Sequence, residues 1–213
     1  LYQRDPQNEL YARGPRLRLT AEQIRDQALA VSGLLSPKMY GPGVMPPQPE
    51  GIWQSVYSNE KWTESEGEDK NRRAVYTYLK RTSPYPSFIT FDAGSREVCT
   101  IRRTVTNTPL QALVTLNDPV YMEAAYHLAK TMEGLDVEIG ISKGYEKATY
   151  SKINPEKLEA LKDLYDKSLI EFKSEENNGQ NYLGIVEKSS AELAALTVVA
   201  NAIMNLDEFL SKA

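Results

Sequence analysis

The chain of 213 residues contains a single cysteine and a single histidine. Cys99 alone excludes an intrachain disulfide, a cysteine-rich zinc site and a C-x-x-C-H haem attachment within this chain. The residues that follow it, Thr100, Ile101, Arg102 and Arg103, supply no haem ligand. Flanked by apolar Val98 and distant from any base, Cys99 reads as a buried structural thiol rather than a nucleophile. A histidine-based metal site or a Ser-His-Asp triad would have to use His127; its place in a helical stretch reads as a helix-surface residue. No apolar run approaches the ~20 residues that span a bilayer. An N-terminal pattern of basic, apolar and small residues is also missing. The chain opens at Leu1 in polar sequence, which reads as a piece of a longer protein, so missing targeting signals say nothing about compartment.

Arginine is absent beyond Arg103, although lysine continues to the end. The formal net charge of −4 excludes wholesale attraction to nucleic acid. Residues 70–103 nevertheless hold Lys70, Arg72, Arg73, Lys80, Arg81, Arg96, Arg102 and Arg103 against Asp92 and Glu97. Arginine suits fixed bidentate contacts and lysine suits solvated faces. The first half therefore reads as built for specific pairing and the second for solubility. Hydrophobic residues at 41% and charged residues at 25% are ordinary for a globular chain.

The pattern along the chain predicts a mainly α fold. Thr20 and Gln23 form a capping box, and Ile24, Ala28, Val31 and Leu35 repeat at helical spacing, giving a helix over about 21–35. Residues 36–69 carry Pro37, Gly41, Pro42, Gly43, Pro46, Pro47, Pro49 and Gly51, which forbid long regular structure. The same stretch holds Met39, Tyr40, Trp53, Tyr57 and Trp62, too many large apolar groups for a disordered linker. It is expected to be an ordered coil wrapped over a single helical bundle. Arg73 to Arg81 reads as a strand, with Val75 to Leu79 as its β-formers, and Phe88 to Phe91 as a second short one, so a small β-hairpin in 73–91 is the most β-structure expected.

From residue 107 the signals are helical. Thr108, Pro109 and Gln111 mark a start, and Leu110, Leu113, Val114 and Leu116 make that helix apolar almost all round, hence buried. Asp118 and Pro119 open the next, to about 133. A weaker helix follows over 136–150, then one from Asn154–Pro155 with Leu158, Leu161, Tyr165, Leu169 and Phe172 as its stripe. Residues 174–182 read as a solvated loop. Ser189 and Glu192 cap a last long helix, and 205–210 extends it or makes a final turn.

The stretch from Ser87 to Leu113 puts Asp92, Arg96, Arg102, Arg103, Asn107 and Thr108 beside the start of the Pro109 helix. A helix start carries unpaired N–H groups and a partial positive charge. With the arginines nearby, an anion has a place to sit, and these six residues are the candidate ligand-binding set. Arg13, Arg16, Arg18 and Arg25 form a second set, with Arg16 and Arg18 on one face of an extended segment; they read first as surface-solvating residues and second as an extension of the same anion-binding surface. In a second reading Asp92 and Glu97 neutralise the arginines and pin an irregular loop. In a third, Asp92 or Asp69 serves an enzyme acting on extracellular polysaccharide, the arginines holding an acidic sugar. The residues name no catalytic group and no metal ligand.

An ordered series over most of the chain resembles a known family. It comprises Ala12-Arg13-Gly14-Pro15-Arg16, Ile24-Arg25-Asp26, Leu34-Leu35-Ser36-Pro37, Pro49-Glu50-Gly51-Ile52-Trp53, Lys80-Arg81-Thr82 and Ser95-Arg96-Glu97-Val98-Cys99. It continues through Asn107-Thr108-Pro109-Leu110-Gln111-Ala112-Leu113, Leu116-Asn117-Asp118-Pro119 and Asn205-Leu206-Asp207-Glu208-Phe209. The chain resembles the C-terminal domain of unknown function of large planctomycete-type exported proteins, where it commonly follows a cytochrome c module. In one departure, Lys152-Ile153-Asn154-Pro155 stands where the family usually has an Arg-Pro-Pro type turn. The resemblance implies an extracytoplasmic setting and a multidomain parent, with no catalytic residue and with any haem in another domain. Taken together, the expected role is a non-catalytic interaction or scaffold domain. Its expected partners are other domains of the parent or an acidic or sulfated polysaccharide.

Overall fold

The computed structural model describes residues 3–14, 16–49, 51–52, 61–174 and 190–212. The architecture is mainly helical. Helix α1 (Ala21–Ser32) starts at a true capping box, in which Thr20 Oγ1 accepts from the Gln23 N–H and Gln23 Oε1 accepts from the Thr20 N–H. It stops at Ser32, short of the expected 35, because Gly33 turns left-handed at φ 80° and donates back to Ala30. Such a cap is available to glycine at little steric cost.

Helices α3 (Pro109–Asn117), α4 (Pro119–Lys130), α5 (Val137–Thr149) and α6 (Pro155–Ser174) follow a short α2 (Pro86–Thr90). Helix α7 (Ala191–Asn205) and a final turn α8 (Asp207–Leu210) complete the series. Side chains cap where short polar residues precede a helix: Asp118 accepts from Val120, Asp136 from Glu138 and Ile139, and Ser190 from Leu193. The cap of α7 is thus Ser190; the expected Ser189 lies outside the described residues, as does most of 174–182.

Helix α7 is buried on nearly every side, from Leu193 through Leu196, Val199, Ala200 and Ile203 to Met204. Its main neighbours are α4 and α6, and α1 packs on α4. The core between them joins Ile24 and Ala28 of α1 to Tyr121, Ala125 and Leu128 of α4 and to Leu161 and Tyr165 of α6. Full burial of each large aliphatic side chain is worth about 1.5–3 kcal/mol.

The expected strands over 73–91 are not there. Residues 74–76 form a 3₁₀ turn, and 86–90 are helical, with Pro86 in the first helical position. The physical reason for the first is that side chains already serve this backbone. Asp26 accepts the Ala74 N–H at 2.6 Å, and Arg25 donates to the Arg72 carbonyl at 2.8 Å. The two-stranded antiparallel sheet lies elsewhere, pairing β1 (Leu17–Arg18) with β2 (Ser211–Lys212). It ties the start of α1 to the far end of the chain.

The Pro/Gly-rich coil over 36–49 is held by hydrogen bonds to its carbonyls and by single bridges. Val44 exchanges bonds with Tyr76 and Tyr78, and Ser36 bridges to Arg72. The fully buried Arg72 donates to the carbonyls of Tyr40 and Pro42, with its guanidinium 3.9 Å from the Tyr76 ring centroid. Trp62 Nε1 donates to the Pro46 carbonyl at 2.9 Å and Tyr85 Oη to that of Pro47 at 2.6 Å, and the two rings stack at 5.8 Å. A buried carbonyl costs free energy unless a donor reaches it. These arginines and aromatics supply the donors that proline cannot. Trp53 and Tyr57 lie outside the described residues.

Asp118, between α3 and α4, is buried, and desolvation pushes its carboxyl up to about 6 against an ordinary 3.8. Arg25 opposes the shift, while the buried hydroxyls of Tyr85 and Tyr121 are raised by burial and by the Asp118 charge. A raised folded-state value means the fold holds a proton that the unfolded chain has lost between about pH 4 and pH 6. The Asp118 contribution to stability should therefore grow as pH falls through that window and be lost as pH rises through it. Asp118→Asn keeps a capping side chain and removes the charge. Urea denaturation across that range should show the Asn variant gaining on wild type as pH rises to about 7.5. An unchanged difference between the two proteins at all pH values would contradict this.

Candidate interaction site

The segment from Thr90 to Asn117 is organised by one side-chain amide. Gln111 is 1% exposed, and its Nε2 donates to the Thr90 carbonyl at 3.0 Å and to Thr106 Oγ1 at 3.1 Å. Its Oε1 accepts from Arg18 at 2.6 Å. Asp92, left-handed at φ 60°, accepts the Thr106 N–H at 2.8 Å and the Thr106 hydroxyl at 2.7 Å. One turn after Gln111, fully buried Thr115 bonds to Asn205 Oδ1 at 2.5 Å, and its carbonyl accepts from Asn201 at 3.0 Å. Gln111 and Thr115 are four apart and share a face, so α3 turns its polar side inward against α7 and the residue 90–106 loop.

This reverses the expected burial of α3. Leu110 is 58% exposed, Leu113 54% and Leu116 41%. At about 100° per residue these three span an arc of about 120° opposite Gln111. Only Val114 of the apolar set packs against the core. Thr108 sits at the N-cap position, but its side chain makes no capping bond; the Gln111 amide side chain, expected to close a box with it, binds Thr90, Thr106 and Arg18 instead.

The three arginines of the candidate set part company. Arg103 forms a two-pronged pair with Glu22 of α1, at 2.7 and 3.0 Å. Burial pushes the Glu22 carboxyl up, but the hydrogen bonds and charge of Arg103 outweigh it and leave the group below its usual range. The bond to Glu22 in turn raises Arg103. Arg96, left-handed at φ 59°, and Arg102 are exposed and have no partner among the described residues. Asn107 and Thr108 are likewise exposed.

Arg18, Phe91, Asp92, Arg103 and Thr104 line a recess of about 40 Å³. Desolvation lowers Arg18, and the Asp92 charge partly restores it. That volume accommodates about one to three waters or a small ion, not a sugar ring. Arg18 and Arg103 thus meet Asp92 there, while Arg96 and Arg102 are not among the lining residues. Arg16 pairs with Asp207 and Arg13 with the carbonyls of Asp5 and Pro6, so neither extends the recess. Asp69 is paired with Lys38 at 2.8 Å. Cys99 is exposed, not buried, because the loop that carries it stands off the core. His127 is half-buried, edge-on to Tyr126. No group of three or more His, Cys, Asp or Glu among the described residues is placed to hold a metal ion.

The model of the family described as PSD1: Protein of unknown function (DUF1553) matches residues 1–165. The chain belongs to this family. No curated protein and no solved structure matches it. The matched residues include the whole Thr90–Asn117 segment with Arg18 and Glu22, while α7, which supplies Asn201 and Asn205, lies beyond them.

Sequence reasoning placed Arg18 with the surrounding arginines and gave Gln111 a capping role only, and it missed Glu22 and Thr106. The one available signal was the polar pair Gln111 and Thr115 at helical spacing in an otherwise apolar helix. Gln111→Ala would strip partners from Thr90, Thr106 and Arg18, a loss of about 1–3 kcal/mol. Urea titration should show it, together with faster amide exchange at Thr106; a variant as stable as wild type would contradict the role given to the amide.

Proposed function

We propose that the chain is a non-catalytic interaction domain of a larger exported protein, one of the planctomycete-type proteins in which such domains accompany c-type cytochrome modules. It works outside the cytoplasm, and any haem lies in another domain of the parent. The observation that carries the interaction reading is the orientation of α3. A nine-residue helix buries Gln111 and Thr115 and turns three leucines to solvent. The loop before it adds Val98, Ile101 and Val105, all exposed. Single exposed apolar residues are commonplace, but three leucines on one arc of a short helix are what contact surfaces provide. Another domain of the parent is the favoured partner.

An acidic or sulfated polysaccharide has less support, because Arg103 is neutralised by Glu22 and the recess is small. The carboxylates that an enzymatic reading would use are engaged, Asp92 by Thr106 and Asp69 by Lys38.

The test compares hydrogen exchange of residues 98–116 in the isolated chain and in the intact protein immunoprecipitated from fractionated source cells. We expect a band heavier than 24.0 kDa in the extracytoplasmic fraction, with residues 98–116 protected there and not in the isolated chain. Equal exchange in both would remove the interaction role, and recovery from the cytosol would remove the exported setting.

A further inference from the structure

The stretch between Asp92 and Thr106 is a closed loop pinned at its neck. Asp92 Oδ2 accepts both the N–H and the hydroxyl of Thr106, and the Ala93 N–H donates to the Phe88 carbonyl at 2.8 Å. Beyond the neck, every residue from 95 to 105 is exposed. From 94 to 105 no backbone N–H or carbonyl bonds to another backbone group among the described residues. The Glu97 N–H reaches only the Ser95 hydroxyl, at 3.4 Å. An endoprotease takes its substrate as an extended segment and supplies the main-chain partners itself. Exposed loop tips are where chains are nicked, and a segment with no main-chain bonds to give up needs no local unfolding first.

The arginines select the bond. None lies beyond Arg103, so an arginine-specific endoprotease has nothing to cut from α3 onward. Before the loop, Arg18 lies in β1, Arg25 and Arg72 are buried, and Arg16 and Arg73 pair with Asp207 and Asp26. Arg81 is exposed, but it sits in a turn closed by the Ser83 N–H on the Lys80 carbonyl at 3.1 Å, with Pro84 three residues on. Within the loop, Arg103 is held by Glu22 at 2.7 and 3.0 Å, which keeps its guanidinium out of a protease's specificity pocket. Arg96 is left-handed at φ 59°, away from the extended backbone that cleavage requires, and the acidic Glu97 follows it. Arg102 is exposed, has no partner among the described residues and is not left-handed.

We propose that this loop is a nicking site for an arginine-specific endoprotease, cut first between Arg102 and Arg103, and that the two pieces remain one folded domain. The Arg102–Arg103 amide C–N bond breaks, and water gives its hydroxyl to the Arg102 carbonyl carbon and its hydrogen to the Arg103 nitrogen. Such a nick is independent of the interaction role, because α3 and its leucines lie whole in the second piece. The pieces are joined by contacts that do not pass through the loop. Ile24 and Ala28 of α1 share one core with Tyr121, Ala125 and Leu128 of α4. Strand β1 pairs with β2, Gln27 Nε2 donates to the Phe209 carbonyl at 2.8 Å, and Lys70 pairs with Glu123 at 2.7 Å. The neck bonds from Thr106 to Asp92 also bridge the cut.

The experiment treats the folded full chain with clostripain, an arginine-specific endoprotease, and reads the products by mass spectrometry and N-terminal sequencing. Cuts after Arg4 or Arg13 only trim the tail before β1. We expect cleavage after Arg102 to be about tenfold or more faster than after any other arginine from Arg16 to Arg103. The two pieces should co-elute at the size of the uncut chain and keep its helical circular dichroism. Arg102→Gln should move the cut to Arg96, and Arg96→Gln with Arg102→Gln should slow cleavage in the loop by about a hundredfold. Glu22→Gln frees Arg103 and should add a cut that leaves Thr104 as a new N-terminus. Should Glu22→Gln lose its helical signal, the wild-type ratio of Arg103 to Thr104 N-termini decides in its place. A first cut after Arg81 or Arg103, a loop as resistant as the buried Arg25, pieces that separate or unfold, or loop cleavage unchanged in the double variant would each overturn the proposal.

Discussion

The Gln111 carboxamide decides which way α3 faces. It is a buried group with two donors and one acceptor oxygen, and leaving it unpaired in the core would cost about 1–3 kcal/mol, comparable to exposing one leucine. The Thr90 carbonyl, the Thr106 hydroxyl and the Arg18 guanidinium satisfy it with α3 turned that side inward. Thr115, one turn on, meets Asn201 and Asn205 under the same constraint. The leucines then have nowhere to go but outward. An apolar surface has thus arisen as the consequence of a polar buried seam, and the functional reading depends on that seam.

The same principle holds the other half of the molecule. Arg25 and Arg72 are buried, and their guanidinium groups donate to the carbonyls of Tyr40, Pro42, Lys70 and Arg72. A proline-rich coil cannot satisfy its own carbonyls through a ladder, so fixed side-chain donors do it. Asp26 completes the arrangement from the acceptor side at Ala74. Two arginines of the first half, Arg25 and Arg72, serve backbone carbonyls in this way. Among the described residues, Arg81, Arg96 and Arg102 are the central arginines without a partner.

The helices were legible in the sequence because their signals are local. Thr20 with Gln23, Asp118 before Pro119 and Asn154 before Pro155 each mark a start that the structure contains, and α5 runs 137–149 against an expected 136–150. What was not legible depended on distant partners. Val75 to Leu79 has strand-forming residues but only an isolated bridge to Val44, and just before it Asp26 and Arg25, some 48 residues away, take the Ala74 N–H and the Arg72 carbonyl. Hydrophobic content suggested a buried α3, yet two polar residues face inward and three leucines face out, with Val114 alone of the apolar set on the core. The arginine cluster was legible as composition and not as geometry. A pairing such as Arg103 with Glu22 spans 81 residues, and no spacing rule reaches that far.

The orientation of α3 can be read directly by thiol labelling in a Cys99→Ser background. With cysteine placed at 113 or at 115, the account predicts rapid modification at 113, near the rate of an exposed thiol. It predicts modification at 115 slower by about a hundredfold or more, because reaction there needs local opening. Rapid labelling at 115 with protection at 113 would show the leucines packed inside, and would contradict the surface on which the functional reading stands.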